Sequence, residues 1–143
     1  DIHIRTTFIT GFPGETEEDF AATLALMERV RFDSAYMYRY SEREGTRACS
    51  LPGRVPVDIR IRRLKEAIEL QNAVTAEKNR DLIGTVVTVL VKGPSKDALG
   101  WRGFTETGAP AVFSADGRKV EPGFFMNVRV ESSTGASLVG KAI

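Results

Sequence analysis

Apolar and polar positions alternate through Ile2, His3, Ile4 and Arg5, and after Thr6 and Thr7 the run becomes continuously apolar at Phe8 and Ile9. That pattern predicts a strand with at least one buried face. Gly11, Phe12, Pro13 and Gly14 end it. Thr16 stands three residues before Asp19, the spacing of a helix cap, and Glu17, Glu18 and Asp19 put negative charge where the helix dipole favours it. Phe20, Leu24, Met27 and Val30 supply one apolar stripe, which predicts a helix of about four turns. Ala35 to Tyr40 is again strand-like. A strand, a glycine-rich turn, a helix and a second strand make a right-handed crossover unit, so the amino half is expected to belong to a parallel sheet.

One such unit neither closes a sheet nor covers both of its faces. The chain also opens on Asp1 directly before strand-like sequence, so it is expected to be a piece of something longer, with most of the sheet upstream. Residues Glu42 to Pro56 are turn-rich and read as a crossing loop. From Asp58 to about Leu82, Ile61, Leu64, Ile68 and Val74 are spaced for a long amphipathic helix that looks like a connector. After Gly84 the texture changes to β-branched residues at Thr85–Val91, then short strand-like stretches at Ala111–Phe113, Phe124–Val130 and Ser137–Ile143. About five short strands punctuated by glycine and proline predict a small closed antiparallel barrel, since closure removes exposed edges. The expected fold is thus α/β: the end of a partial parallel (β/α) barrel over residues 1–82 and a small β-barrel over 83–143.

Composition narrows this little further. With 143 residues, 42% hydrophobic and 27% charged, the chain suits one domain or two small ones and excludes disordered, collagenous and disulfide-scaffold classes. One cysteine makes no internal disulfide, and no apolar run approaches a bilayer-spanning length, so a cytoplasmic setting without membrane attachment is expected. A net charge of +1 argues against attachment to nucleic acid by bulk charge, although the stretch after Gly84 is slightly basic.

The turn Gly11-Phe12-Pro13-Gly14-Glu15-Thr16 lies at the end of a parallel strand, where ligands usually bind. Glycines there let backbone approach a ligand and the helix start offers free amides. The competing reading is a tight turn with Glu15 beside the helix dipole, and GxxG spacing without a phosphate-loop lysine favours it. Arg54, Arg60, Arg62, Arg63 and Lys65 read as a solvated helix face, with RNA phosphate contact the lesser reading. His3 lacks partners for a metal and reads as a structural histidine; Cys49 reads as a loop or buried thiol. Tyr36, Tyr38 and Tyr40 recur at period two and are expected to pack in a core or on a sheet. In the barrel, Lys92, Lys96, Trp101, Arg102, Phe104 and Arg129 mix cations with aromatics, as small barrels do that grip single-stranded nucleic acid, although Trp101 and Phe104 could equally plug the barrel.

Taken as an ordered set, Thr6–Phe20, Arg31–Ser41, Gly45-Thr46 and Leu70-Gln71-Asn72 resemble the carboxyl half of radical S-adenosylmethionine methylthiotransferases, and the stretch from Ile83 resembles the small RNA-binding barrel, the TRAM domain, that ends them. The wording of Phe32–Tyr36 and Leu70–Asn72 is most similar to the branch that converts N(6)-isopentenyladenosine beside the tRNA anticodon to its 2-methylthio form. The resemblance implies S-adenosylmethionine and two 4Fe-4S clusters in the parent enzyme, an electron donor for the radical cluster, the tRNA anticodon stem-loop as partner, and a monomer. It implies that Ile9, Gly11, Gly14 and Glu15 lie on the S-adenosylmethionine side; within the barrel, Lys92, Lys96, Arg102 and Arg129 are the cations expected to contact RNA. The cluster cysteines of the family have no counterpart here, so the piece alone is expected to be inactive. Where the family usually has Gly-Arg-Thr and then Asn, this chain has Gly103-Phe104-Thr105 and Gly108, which removes one arginine; Arg102 is its candidate substitute. The rivals are the sister enzyme that modifies an aspartate of a ribosomal protein and a non-catalytic RNA-binding module.

Overall fold

The computed structural model describes residues 2–96 and 100–143. Two compact units divide the chain, residues 1–74 and 75–143. In the first, β1 (Arg5–Thr10) leads through the glycine turn to α1 (Glu17–Val30) and β2 (Ser34–Arg39). Thr16 and Asp19 form a reciprocal capping box at the start of α1. The helix stops where Arg31 takes a left-handed conformation and returns its N–H to Met27 O. β1 and β2 are parallel, with Thr7 opposite Tyr36 and Ile9 opposite Tyr38.

Alternation gives this two-stranded sheet two unlike faces. Phe8 and Met37 pack with Met27, Phe32, Ala67 and Leu70, so one face is covered by α1 and by α2 (Val57–Asp81). On the other face Ile9, Tyr36 and Tyr38 are more than half exposed. The expected packing of Tyr36 and Tyr38 is therefore corrected: both stand on an open face, and Arg5 lies over the Tyr36 ring. Tyr40 falls beyond the end of β2 and is buried.

The stripe that α2 buries differs from the expected one. Arg60, Arg63, Ala67, Gln71 and Val74 are buried, whereas Ile61 and Ile68 are exposed. The expected solvated arginine face is overturned at Arg60 and Arg63, because both guanidinium groups find acceptors inside the first unit and keep their charge paired while their stems pack. Arg62 and Lys65 remain on the surface.

The second unit takes up the last turns of α2 and a closed ring of five strands. These are β3 (Val86–Pro94), β4 (Trp101–Thr105), β5 (Pro110–Ser114), β6 (Phe125–Ser133) and β7 (Leu138–Ala142), in the order β3-β4-β5-β7-β6. The barrel closes as expected but is mixed: β5 and β7 run parallel. Direction cannot alternate all the way around an odd ring, so one parallel pair is obligatory. Inside lie Val89, Val91, Ala111, Phe113, Val128, Val130, Leu138 and Ala142, all at most 1% exposed. Each buried Val, Leu or Phe contributes about 1.5–3 kcal/mol. Trp101 opens a strand that the hydrophobic pattern alone left unassigned, and packs partly buried against this core. Two glycines let the strands approach. A Cβ at Gly103 would lie 2.2 Å from Leu90 O, and one at Gly140 2.1 Å from Arg129 O.

Candidate functional site

The turn after β1 is fastened from the helix side. Gly11 holds φ +72°, and a Cβ there would come within 2.4 Å of Arg60 Cγ, so glycine is required by an arginine of the same chain. Gly11 N–H donates to Glu15 Oε2 at 2.6 Å, and Gly14 N–H donates to Gly53 O at 2.8 Å. Phe12 meets Tyr40 edge to face, with ring centroids 5.2 Å apart. Arg60 in turn donates through Nε to Val55 O at 2.6 Å and through Nη2 to Glu42 Oε1 at 2.8 Å, and its guanidinium lies over the Tyr40 ring.

Arg63 completes the clamp. Its Nη1 donates to the Glu15 carboxylate and, at 3.1 Å, to Glu15 O, while Nη2 donates to Glu17 Oε1 at 2.8 Å. Arg62 adds a second bond to Glu17 Oε1 at 2.7 Å. Burial opposes the Arg63 charge, yet the hydrogen bonds to Glu17 and Glu15 outweigh it and its pKa is raised. Hydrogen bonds from Arg63 and Arg62 hold the Glu17 carboxyl below its ordinary value, and Arg60, then Arg54, does the same for Glu42. The Thr16 backbone N–H and hydroxyl lower Asp19.

Of the four residues the resemblance assigns to S-adenosylmethionine, Ile9 stands on the open sheet face beside the turn, and a Cβ added at Gly14 would meet nothing within 4 Å. Gly11 is buried, and the Glu15 carboxylate is turned inward onto Gly11 and Arg63. Ile9 and Gly14 are thus accessible on the outer side of the turn, while Glu15 and Arg63 hold its shape from behind. Sequence reasoning missed Arg60 and Arg63 as its supports. Their shared side on a helix and the nearby acids were the available signal.

His3 Nδ1 lies 3.6 Å from Asp33 Oδ2, in keeping with a structural histidine, and Cys49 sits half-buried in a short 3-10 turn, Arg47–Ser50. Among the described residues no three His, Cys, Asp or Glu side chains group as metal ligands. The implied clusters thus have no ligand set here. Among the described residues no helix is long and apolar enough to cross a membrane.

On the barrel, Lys92 and Arg102 come together on the outer side, where the pairing of β3 with β4 slips between Val91 and Gly93. Arg102 Nε donates to Pro94 O at 3.2 Å. Arg129 stands farther along, opposite Val86 on β3 and Lys141 on β7. Lys96 is exposed in the turn after β3 and shares no row with the others. Among the described residues Lys92, Arg102 and Arg129 form no ion pair, whereas Lys141 is paired to Glu131 at 3.2 Å.

No protein-family model matches the chain. Curated relatives do. The chain is 40% identical to the ribosomal protein uS12 methylthiotransferase of Pelotomaculum thermopropionicum, over 99% of this chain and 33% of that protein. It is 47% identical to the tRNA-2-methylthio-N(6)-dimethylallyladenosine synthase of Moorella thermoacetica over 80% of this chain and 26% of that protein. With the synthase of the same name from Chlorobium phaeobacteroides it shares 45% identity over 97% of the chain and 31% of that protein. The matched stretch takes in the fragment of parallel sheet with its clamped turn and the closed five-stranded barrel. The chain belongs to the methylthiotransferase family, and spans about a third of the length of the curated relatives it matches. Relatives named for tRNA and for a ribosomal protein match it at similar identity, so similarity alone does not separate the two branches.

Proposed function

We propose that this chain is the carboxyl-terminal part of a tRNA methylthiotransferase that adds a 2-methylthio group to N(6)-isopentenyladenosine next to the anticodon. Residues 1–82 form the end of the radical S-adenosylmethionine domain with its linking helix, and residues 83–143 form the TRAM barrel that holds the RNA. When bound in the parent enzyme, S-adenosylmethionine would supply the radical chemistry that activating an inert ring carbon needs and that acid–base side chains cannot replace. This chain's own part is positional. Ile9 and the outer side of the Gly11–Gly14 turn form one wall of the cofactor pocket, and Glu15, held by Arg63, fixes the turn. The observation that carries the RNA assignment is the set of cations Lys92, Arg102 and Arg129 on the outer side of the barrel, which form no ion pair among the described residues.

Nucleoside mass spectrometry of tRNA from cells lacking the parent gene tests it. Loss of 2-methylthio-N(6)-isopentenyladenosine is expected; an unchanged level removes the tRNA assignment. The second reading, methylthiolation of a ribosomal protein aspartate, is supported by the 40% identity over 99% of this chain to the Pelotomaculum thermopropionicum relative, a match comparable to those of the tRNA-named relatives. Mass spectrometry of ribosomal proteins from the same cells distinguishes it.

A further inference from the structure

The outer side of the barrel carries a row that runs across four strands. Pro110 on β5 is opposite Phe104 on β4, Phe104 is opposite Leu90 on β3, and Leu90 is opposite Phe125 on β6. Ala111, Gly103, Thr105, Val89 and Val91 beside the first three are buried and Met126 beside Phe125 packs against the core, so strand alternation turns all four residues outward. Phe125 is 68% exposed and Phe104 44%. A single exposed phenylalanine means little, but apolar residues in register across four strands make a continuous strip.

Positive charge brackets that strip. One two-residue step along β4 from Phe104 brings Arg102, with Lys92 beside it on β3. In the other direction Thr88 faces Asn127, and beyond them Val86 faces Arg129. Strand geometry puts Arg102 about 7 Å from Phe104 and the two phenylalanines about 10 Å apart across β3. None of Thr88, Leu90, Phe104, Pro110, Phe125 and Asn127 is acidic. Flat rings with two cations on one side and one on the other, none of them ion-paired among the described residues, complement the alternation of bases and phosphates in an unpaired nucleic-acid strand.

We infer that Phe104 and Phe125, spaced by Leu90, are a stacking platform for unpaired bases of an RNA whose phosphates lie against Lys92 and Arg102 on one side and Arg129 on the other. This deepens the RNA reading above and rests on it.

The test titrates the 143-residue chain with a labelled, unstructured RNA and with the same strand carrying abasic positions. The abasic strand is expected to bind at least about fivefold more weakly. Phe104→Leu and Phe125→Leu are expected to weaken binding of the intact strand by a similar factor without changing its salt dependence, while Phe125→Trp retains it. Lys92→Ala is expected to weaken both strands alike. Equal affinity for intact and abasic strands, with Lys92→Ala still weakening both, overturns the platform and leaves the RNA reading standing. Absence of binding to either strand at low salt overturns both, and the row is then a protein-docking face.

Discussion

Arg63 reaches from the second turn of α2 to the Glu15 carboxylate, which at the same time accepts the Gly11 N–H at 2.6 Å. The Arg63 side chain is 4% exposed and that of Glu15 13%, so neither charge has ready recourse to water if the other is removed. A buried pair broken on one side costs more than the pair contributes when whole.

Arg63→Met is therefore expected to destabilise the first unit by about 3 kcal/mol. Urea unfolding followed by helix ellipticity measures it. The single tryptophan, Trp101, lies in the barrel, so its fluorescence reports the second unit and should move less.

Gly11→Ala meets two penalties, a φ of +72° and a Cβ 2.4 Å from Arg60 Cγ. Together they are expected to cost about 1–3 kcal/mol. Adding Arg60→Ala removes the 2.4 Å contact with Cγ but leaves Cβ at 3.0 Å and the backbone strain. The double-mutant cycle should thus show a favourable coupling, while a sum of the single effects would place the collision elsewhere.

Gly140→Ala drives a Cβ to 2.1 Å from a backbone oxygen, that of Arg129, which no rotamer change can relieve. A loss of about 3 kcal/mol is expected, seen as a lowered midpoint in Trp101 fluorescence. Gly108→Ala, with φ +83° but nothing within 4 Å, should cost only about 1 kcal/mol.

Glu17, Glu42 and Asp19 all have carboxyl pKa values depressed in the folded chain, the first two by arginines and the third by Thr16. A depressed carboxylate adds stability that is present above its unfolded value and is lost as pH falls through its folded value. Thermal melts of the first unit should therefore hold steady down to the ordinary glutamate value of 4.5 and fall progressively below it. Added salt should shrink the arginine share of the effect.

Replacing Lys92, Arg102 and Arg129 together by alanine is expected to flatten the logarithmic salt dependence of binding to single-stranded RNA by about 2 units, near 0.7 for each phosphate no longer neutralised. Filter binding across a salt series reads this directly, and an unchanged slope would remove all three from the interface.

Much of the architecture is legible in the residues because local signals agree. Thr16 and Asp19 announce the start of α1, Phe20 and Met27 its buried face, and the β-branched Val86–Val91 the first barrel strand. The face of α2 is misleading for a physical reason. Ile61 and Ile68 carry the apolar signal, yet the buried stripe includes Arg60, Arg63 and Gln71, each of which donates to an acceptor far away in sequence. Such partners cannot be read from periodicity. The site is legible in the same uneven way: Gly11-Phe12-Pro13-Gly14 marks a special turn, but that Gly11 accommodates Arg60 depends on an approach across nearly fifty residues of chain. Likewise the alignment of Phe104 with Phe125 exists only through the register each shares with Leu90.

The place of β7 in the ring governs how the barrel comes into being. Leu138–Ala142 is wedged between β5 and β6, so neither of those strands can complete its backbone hydrogen bonds until that last segment exists. On a ribosome, the preceding four strands would wait as an unsealed ribbon, and the hydrophobic lining would be shielded only once translation had delivered the keystone.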